Sequence, residues 1–234
     1  MMAAFAALCL IGGGASANAA EKDLTASIGV GYANGAYDPW LGFTSHDKSV
    51  VSGTVSVGYK GAYASGTYQV SPDNVKGDFG DERIYTLGYR HSLGPVVVDA
   101  FFSHEGYLPV DINKFNVVVD GPSVYGVTPY VGVGRWLSSD TLELSNVSVG
   151  IAGLKGVADI AGQPVNLSAH VAGYSADHAE DQTFSSAMFE ASVPINVGYG
   201  FVFSPTYTHV FNLKASQYQV FKHNVFGVNL AANF

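Results

Sequence analysis

Stepping back by twos from the last residue, the chain reads Phe234, Ala232, Leu230, Val228 and Phe226, an unbroken apolar row. The alternate positions, Asn233, Ala231, Asn229 and Gly227, are small or polar. Side chains of a strand point to opposite faces with period two, so this segment describes a strand with one greasy face and one wet face. Water is a poor surrounding for such an ending. Chain termini fray in solvent, where a final aromatic has nothing to pack against.

The same period recurs along the chain. Leu24, Ala26, Ile28, Val30 and Tyr32 oppose Thr25, Ser27, Gly29 and Gly31; Val51, Val55, Val57 and Tyr59 oppose Ser52, Thr54, Ser56 and Gly58. Further rows are Ala62–Val70, Tyr85–Tyr89, Val96–Phe102, Val127–Val133, Val147–Ile151, Val165–Val171, Ala187–Val193 and Val197–Phe203. Tight turns are expected at Lys60-Gly61, Leu93-Gly94-Pro95, Gly162-Gln163-Pro164 and Pro194-Ile195-Asn196. They alternate with longer, polar stretches at Asn34–Ser49, Ser71–Glu82, Gly106–Asn113, Ser175–Thr183 and Val210–Phe221. No stretch beyond the N-terminal segment approaches the roughly 18 apolar residues of a membrane helix, yet the mean hydropathy is positive. A sheet closed into a barrel reconciles the two, because closure satisfies every backbone hydrogen bond in lipid without a helix.

The final strand resembles the closing strand of bacterial outer-membrane β-barrels, whose terminal Phe and alternating apolar residues are read by the barrel assembly machinery. On that resemblance Phe226, Val228, Leu230, Ala232 and Phe234 form an assembly signal. The expected fold is all-β, a closed antiparallel transmembrane β-barrel. Parity requires Lys114–Asp120 to be a short strand, which makes twelve strands; omitting it and merging the Val147–Ile160 region differently makes ten. With the first strand rising from Leu24, long loops fall outside and both termini are periplasmic. The hydrophobic phase breaks near Gly153–Val157, where a bulge or a misassigned phase is expected. A soluble β-sandwich is the bland rival, but it needs neither the terminal Phe nor alternating loop lengths.

Residues 1–19 read as a secretory signal peptide, with cleavage near Ala19/Ala20 after Ala17-Asn18-Ala19, although no Lys or Arg precedes the apolar run. Cys9 follows Leu8 inside that run, a poor lipoprotein context, and the remaining chain has no cysteine for disulfides or thiolate metal sites. Residues 20–234, about 215 in number, suit a single barrel domain. Aromatic girdles are expected at both membrane interfaces. Trp40, Trp136, Tyr32, Phe102, Tyr207 and Phe203 would form the outer one, and Tyr59, Tyr89 and Phe234 the inner one. Arg135, in the lipid-facing phase beside Trp136, suits lipid headgroups or lipopolysaccharide.

Charges on the inward phase are sparse. Arg90 and Asp99 are expected two positions off direct opposition across their hairpin, and His170 and Glu190 nearly opposite across theirs. All four are candidates for lining a lumen, where fixed charge selects solutes, or else for a satisfied interior network. The seven histidines have no paired-ligand spacing, so no metal site is assigned. No catalytic motif or cofactor fingerprint occurs either. Ser168 and His170, two apart on one face, are all that a barrel lipase or deacylase could use. The net charge of −8 argues against nucleic acid as a partner.

The chain thus looks like a small outer-membrane β-barrel of a Gram-negative bacterium, porin-like in kind, and the resemblance implies a channel for passive diffusion of small solutes or ions. The inward Thr25, Ser27, Gly29, Gly31, Ser52, Thr54, Ser56 and Gly58 leave room near the wall for an open lumen. A non-conducting surface barrel with a binding or structural role, and a lipid-modifying enzyme, are the alternatives.

Overall fold

The computed structural model describes residues 24–38, 40, 43–46, 48–71, 81–107, 110–139, 147–175, 184–214 and 224–234. The signal segment expected at residues 1–19 lies outside them. Strands in chain order are β1 (Leu24–Ala33), β2 (Ala36–Asp38), β3 (Phe43–His46), β4 (Val50–Tyr59), β5 (Ala62–Val70), β6 (Glu82–Leu93), β7 (Val96–Tyr107) and β8 (Val110–Asp120). They continue as β9 (Val127–Ser139), β10 (Ser148–Ile160), β11 (Gln163–Ser175), β12 (Phe184–Ser192), β13 (Ile195–Gly198), β14 (Phe201–Lys214) and β15 (Asn224–Asn233).

Antiparallel pairing runs unbroken from β4 to β12, continues from β12 through β14 to β15, and returns through β1 to β4. The result is a closed barrel of twelve strands, not ten. β13 is the continuation of β12 past Pro194, since both pair with β14. Proline has no N–H to give a ladder, so the strand is interrupted there. The seam joins the two ends of the chain: Ile28 faces Ala232, Val30 faces Leu230, and the Phe234 N–H donates to the Ala26 carbonyl at 2.9 Å. The apolar row of β15 points outward at Phe226, Val228, Leu230 and Phe234, while the small Ala232 is covered between its register partners Ile28 and Phe201.

Tight turns gather at one end of the barrel, and the longer connections at the other. At the turn end, Lys60-Gly61, Tyr125-Gly126, Ala161-Gly162 and Tyr199-Gly200 all have two successive positive φ angles. This is the backbone of the hairpin turn whose twist matches the flanking strands. The turn expected at Pro194-Ile195-Asn196 therefore lies five residues later, at Tyr199-Gly200. Phe203, expected at the outer girdle, accordingly stands near the turn end. β7 and β8 both extend into the connection expected over Gly106–Asn113, reaching Tyr107 and Val110.

Two expectations about facing are overturned. On β10 the apolar row Val147, Val149 and Ile151 is buried inside the barrel, and Gly150, Ala152 and Leu154 face outward. No bulge is needed: β10 stays in continuous register with β9 as far as Gly156 and with β11 throughout Gly153–Val157. The break in phase is chemical, since the inner wall at this level packs against apolar side chains. Those include Trp40 and Trp136, both buried in the interior and not in a girdle. The exposed aromatics that band the barrel are Tyr32, Tyr85, Phe102 and Phe226 towards the loop end and Tyr59, Tyr89 and Phe234 at the turn end.

Charge on the outward face should be costly wherever lipid surrounds it. Val55→Arg and Val131→Arg, both at outward positions more than half exposed, should each lower stability by about 2–4 kcal/mol in the bilayer midplane. Denaturant unfolding in lipid vesicles measures this, and an unchanged midpoint would contradict the assigned facing. Deleting Phe234 should reduce the yield of folded, heat-modifiable barrel in outer membranes, because it removes both the last outward aromatic and two seam hydrogen bonds; a normal yield would show that the seam closes without it.

Candidate functional site

The first long connection does not stay outside. β2 and β3 pair as a short hairpin, and Ala36, Tyr37, Asp38 and Trp40 are buried within the barrel. Trp40 meets Phe101 edge to face at 5.9 Å, and its carbonyl accepts from Trp136 Nε1 at 3.0 Å. Together with Ile112, Tyr130, Val147, Val149, Ile151, Ala172 and Tyr174 these side chains form an apolar core inside the loop-end half of the barrel. Tyr37 packs with Met188 and Val210, and its hydroxyl is 2.7 Å from Ser186 Oγ.

One ion cluster pins this hairpin. Lys114 Nζ lies 2.8 Å from Asp38 Oδ2 and also pairs with Glu105. All three are essentially inaccessible to water. Charges taken out of water are tolerable only when paired and hydrogen-bonded. Here one ammonium serves two carboxylates, and Asp38 also accepts the Trp40 N–H at 2.7 Å.

A second charged group lies towards the turn end. Arg90 and Asp99 are directly opposite in the β6–β7 register, not two positions apart as expected. They are nevertheless partnered elsewhere. Arg90 Nη2 reaches Asp120 Oδ2 at 3.3 Å, Lys155 Nζ binds the same carboxylate at 2.7 and 2.8 Å, and the Tyr63 hydroxyl donates to Asp99 at 2.8 Å. Tyr63 gets there by crossing β6 at Gly88, where any side chain would overlap its ring. Tyr130 crosses β10 in the same way over Gly153, placing its hydroxyl 3.0 Å from His170 Nδ1. A β-carbon at Gly132 would come within 2.8 Å of the Trp40 ring. Small inward residues thus make room for crossing aromatics and for the hairpin, and not only for an open lumen.

Between these two groups lies a cavity of about 420 Å³ lined by β6–β12 and capped by Trp40. Arg90, Asp99, His170 and Glu190 all line it, as do Lys114, Asp120 and Lys155, which the sequence reading did not single out. His170 and Glu190 are diagonal neighbours, not opposed: Glu190 faces Ser168, and His170 faces Met188. Glu190 accepts from Thr208 Oγ1 at 3.2 Å. Ser168 Oγ and His170 Nε2 are buried without a hydrogen-bond partner, so the two residues do not form the Ser–His pair that a nucleophilic mechanism requires. Lys155 escaped notice because reading Val149 and Ile151 as lipid-facing puts it on the lipid face as well. A charge in mid-strand on that face was itself the sign that the phase is inverted.

No family model and no curated protein sequence matches the chain. Solved structures do match in fold. The KdgM porin in complex with disordered oligogalacturonate superposes with a TM-score of 0.58 at 5% identity, covering 90% of this chain and 99% of that one. The NanC porin gives 0.55 at 9% identity, covering 88% and 98%. The translocator domain of autotransporter NalP from Neisseria meningitidis gives 0.55 at 13% identity, covering 100% and 95%. What the chain shares with them is the fold, a closed antiparallel β-barrel.

Removing the shared cation tests what holds the hairpin in place. Lys114→Met leaves Asp38 and Glu105 facing each other without a counter-charge, and it should destabilise the barrel interior by about 3–5 kcal/mol or expel the hairpin. Protease access to residues 36–46 in the folded variant reports expulsion. A variant with wild-type stability and an equally protected hairpin would show that the ion cluster does not hold it.

Proposed function

We propose that this chain is an outer-membrane channel for passive diffusion of small solutes or ions, narrowed by its own first loop. The observation that carries this reading is a cavity bordered by several charged side chains inside a closed twelve-stranded barrel with an apolar exterior. Eight strands leave an interior only wide enough for side chains, whereas twelve leave volume beyond them. A porin of the same fold has been seen with an oligogalacturonate, which supports solute passage through such a barrel. In this reading the turn end and both termini face the periplasm, the outward band contacts lipid and lipopolysaccharide, and the barrel assembly machinery inserts the chain. Residues 20–234 form one domain after removal of the signal segment.

The infolded hairpin specifically favours a second reading, in which the barrel does not conduct and serves a structural or binding role. Planar-bilayer conductance separates the two. The refolded protein should show small single-channel steps, and deleting residues 36–46 should enlarge them. Silence from both proteins would leave only the non-conducting barrel. If the cavity borders the path, Asp99→Asn combined with Glu190→Gln should lower cation preference, most at low salt where screening is weakest. The reversal potential measures this. Arg90 keeps its partner Asp120 in that double variant, so a change in selectivity is not a by-product of a stranded guanidinium.

A further inference from the structure

The interior cations are almost all committed. Lys114 serves Asp38 and Glu105, while Arg90 and Lys155 both serve Asp120. Asp99 is held by the Tyr63 hydroxyl. Glu190 is different. It is buried on the cavity wall, lacks a cationic partner among the described residues, and accepts one hydrogen bond, from the neutral Thr208. Directly across the strand pair stands Ser168, whose Oγ is buried and unpartnered. One inward position further along β11 is His170, 4% exposed, whose Nδ1 is engaged by Tyr130 and whose Nε2 is unpartnered.

With Nδ1 hydrogen-bonded to a tyrosine hydroxyl, the imidazole presents Nε2 as an acceptor when Nδ1 carries the proton. The β11–β12 wall therefore offers a carboxylate, an imidazole nitrogen and a hydroxyl oxygen together, and among the described residues only the Thr208 hydroxyl donates to any of them, to the carboxylate. Polar groups buried in this way are expensive unless something supplies their bonds. The missing complement is a group rich in donors and positively charged. The aromatic cap supplied by Trp40 and Phe101 suits an aliphatic or cationic remainder.

We infer that Glu190, Ser168 and His170 form a binding subsite in the lumen for a small solute carrying a protonated amino group. The ammonium sits between the Glu190 carboxylate, as counter-charge, and the Ser168 and His170 acceptors. The inference rests on the reading that solutes enter the barrel, and it narrows that reading to amine-bearing solutes, setting this lumen apart from one that prefers acidic chains.

Three four-carbon probes of matched length test the charge requirement: 1,4-diaminobutane, 1,4-butanediol and succinate. The two tryptophans, Trp40 and Trp136, both lie in the barrel interior, so their fluorescence reports ligand entry in detergent-refolded protein, independently of conductance. The diamine should give a saturable change, the diol should bind at least about tenfold more weakly, and succinate should have no effect. Glu190→Gln, which preserves shape, should weaken the diamine by about tenfold or more, whereas Asp111→Asn, at an exposed position away from the cavity, should leave it within about twofold. Equal binding of diamine and diol by the unmodified protein overturns the proposal and needs no variant. So does an unaltered affinity in Glu190→Gln, or an equal loss in Asp111→Asn. Intact diamine binding by a protein that never conducts would overturn the channel and leave the subsite standing.

Discussion

Closure of the sheet is the constraint on which everything else depends. A strand edge left open in hydrocarbon would strand a row of N–H and C=O groups that no water can satisfy. The β1–β15 seam removes that edge, pairing Ser27 through Ala33 with Asn233 through Gly227. Once the sheet is closed, its two faces meet different solvents. The outer face has only to be apolar. The inner face encloses a volume that must be filled by side chains, by water or by another part of the chain, and each of those choices writes a different function.

This barrel uses more than one of them. Its loop-end half is filled by the β2–β3 hairpin, with Trp40 and Trp136 at the centre of an apolar cluster and Lys114 neutralised by Asp38 and Glu105. Its middle keeps a cavity. Its turn-end half is crossed by a network in which Asp120 collects Arg90 and Lys155, and Asp99 collects Tyr63. Wall and filling are matched to one another: Gly88, Gly132 and Gly153 stand where Tyr63, Trp40 and Tyr130 pass. Close packing of this kind makes the interior specific about what else it can hold.

Much of the wall could be read from local pattern. Val55, Leu87, Val131 and Phe226 lie on outward rows as their period-two spacing indicates, and Arg90, Asp99, His170 and Glu190 all reach the lumen. Errors arose where a local signal had two meanings. The row Val147, Val149 and Ile151 alternates as a lipid-facing row does, yet it meets an apolar filling from inside. Pro194 has the look of a turn residue but only interrupts the strand, because the turn itself needs the two positive φ angles found at Tyr199 and Gly200. Trp40 and Trp136 have the composition of a girdle and are spent on the plug.

By itself the sequence determined where most of the wall strands run and that they close, leaving twelve or ten open, because period-two alternation is a property of near neighbours and lipid enforces it strand by strand. Only the tertiary structure decided what occupies the lumen. Asp38 meets Lys114 across 76 positions, Trp40 meets Trp136 across 96, and Tyr37 meets Ser186 across 149. No local pattern records such meetings. They exist because a closed barrel brings distant strands around one small volume, where a single loop can satisfy several walls at once.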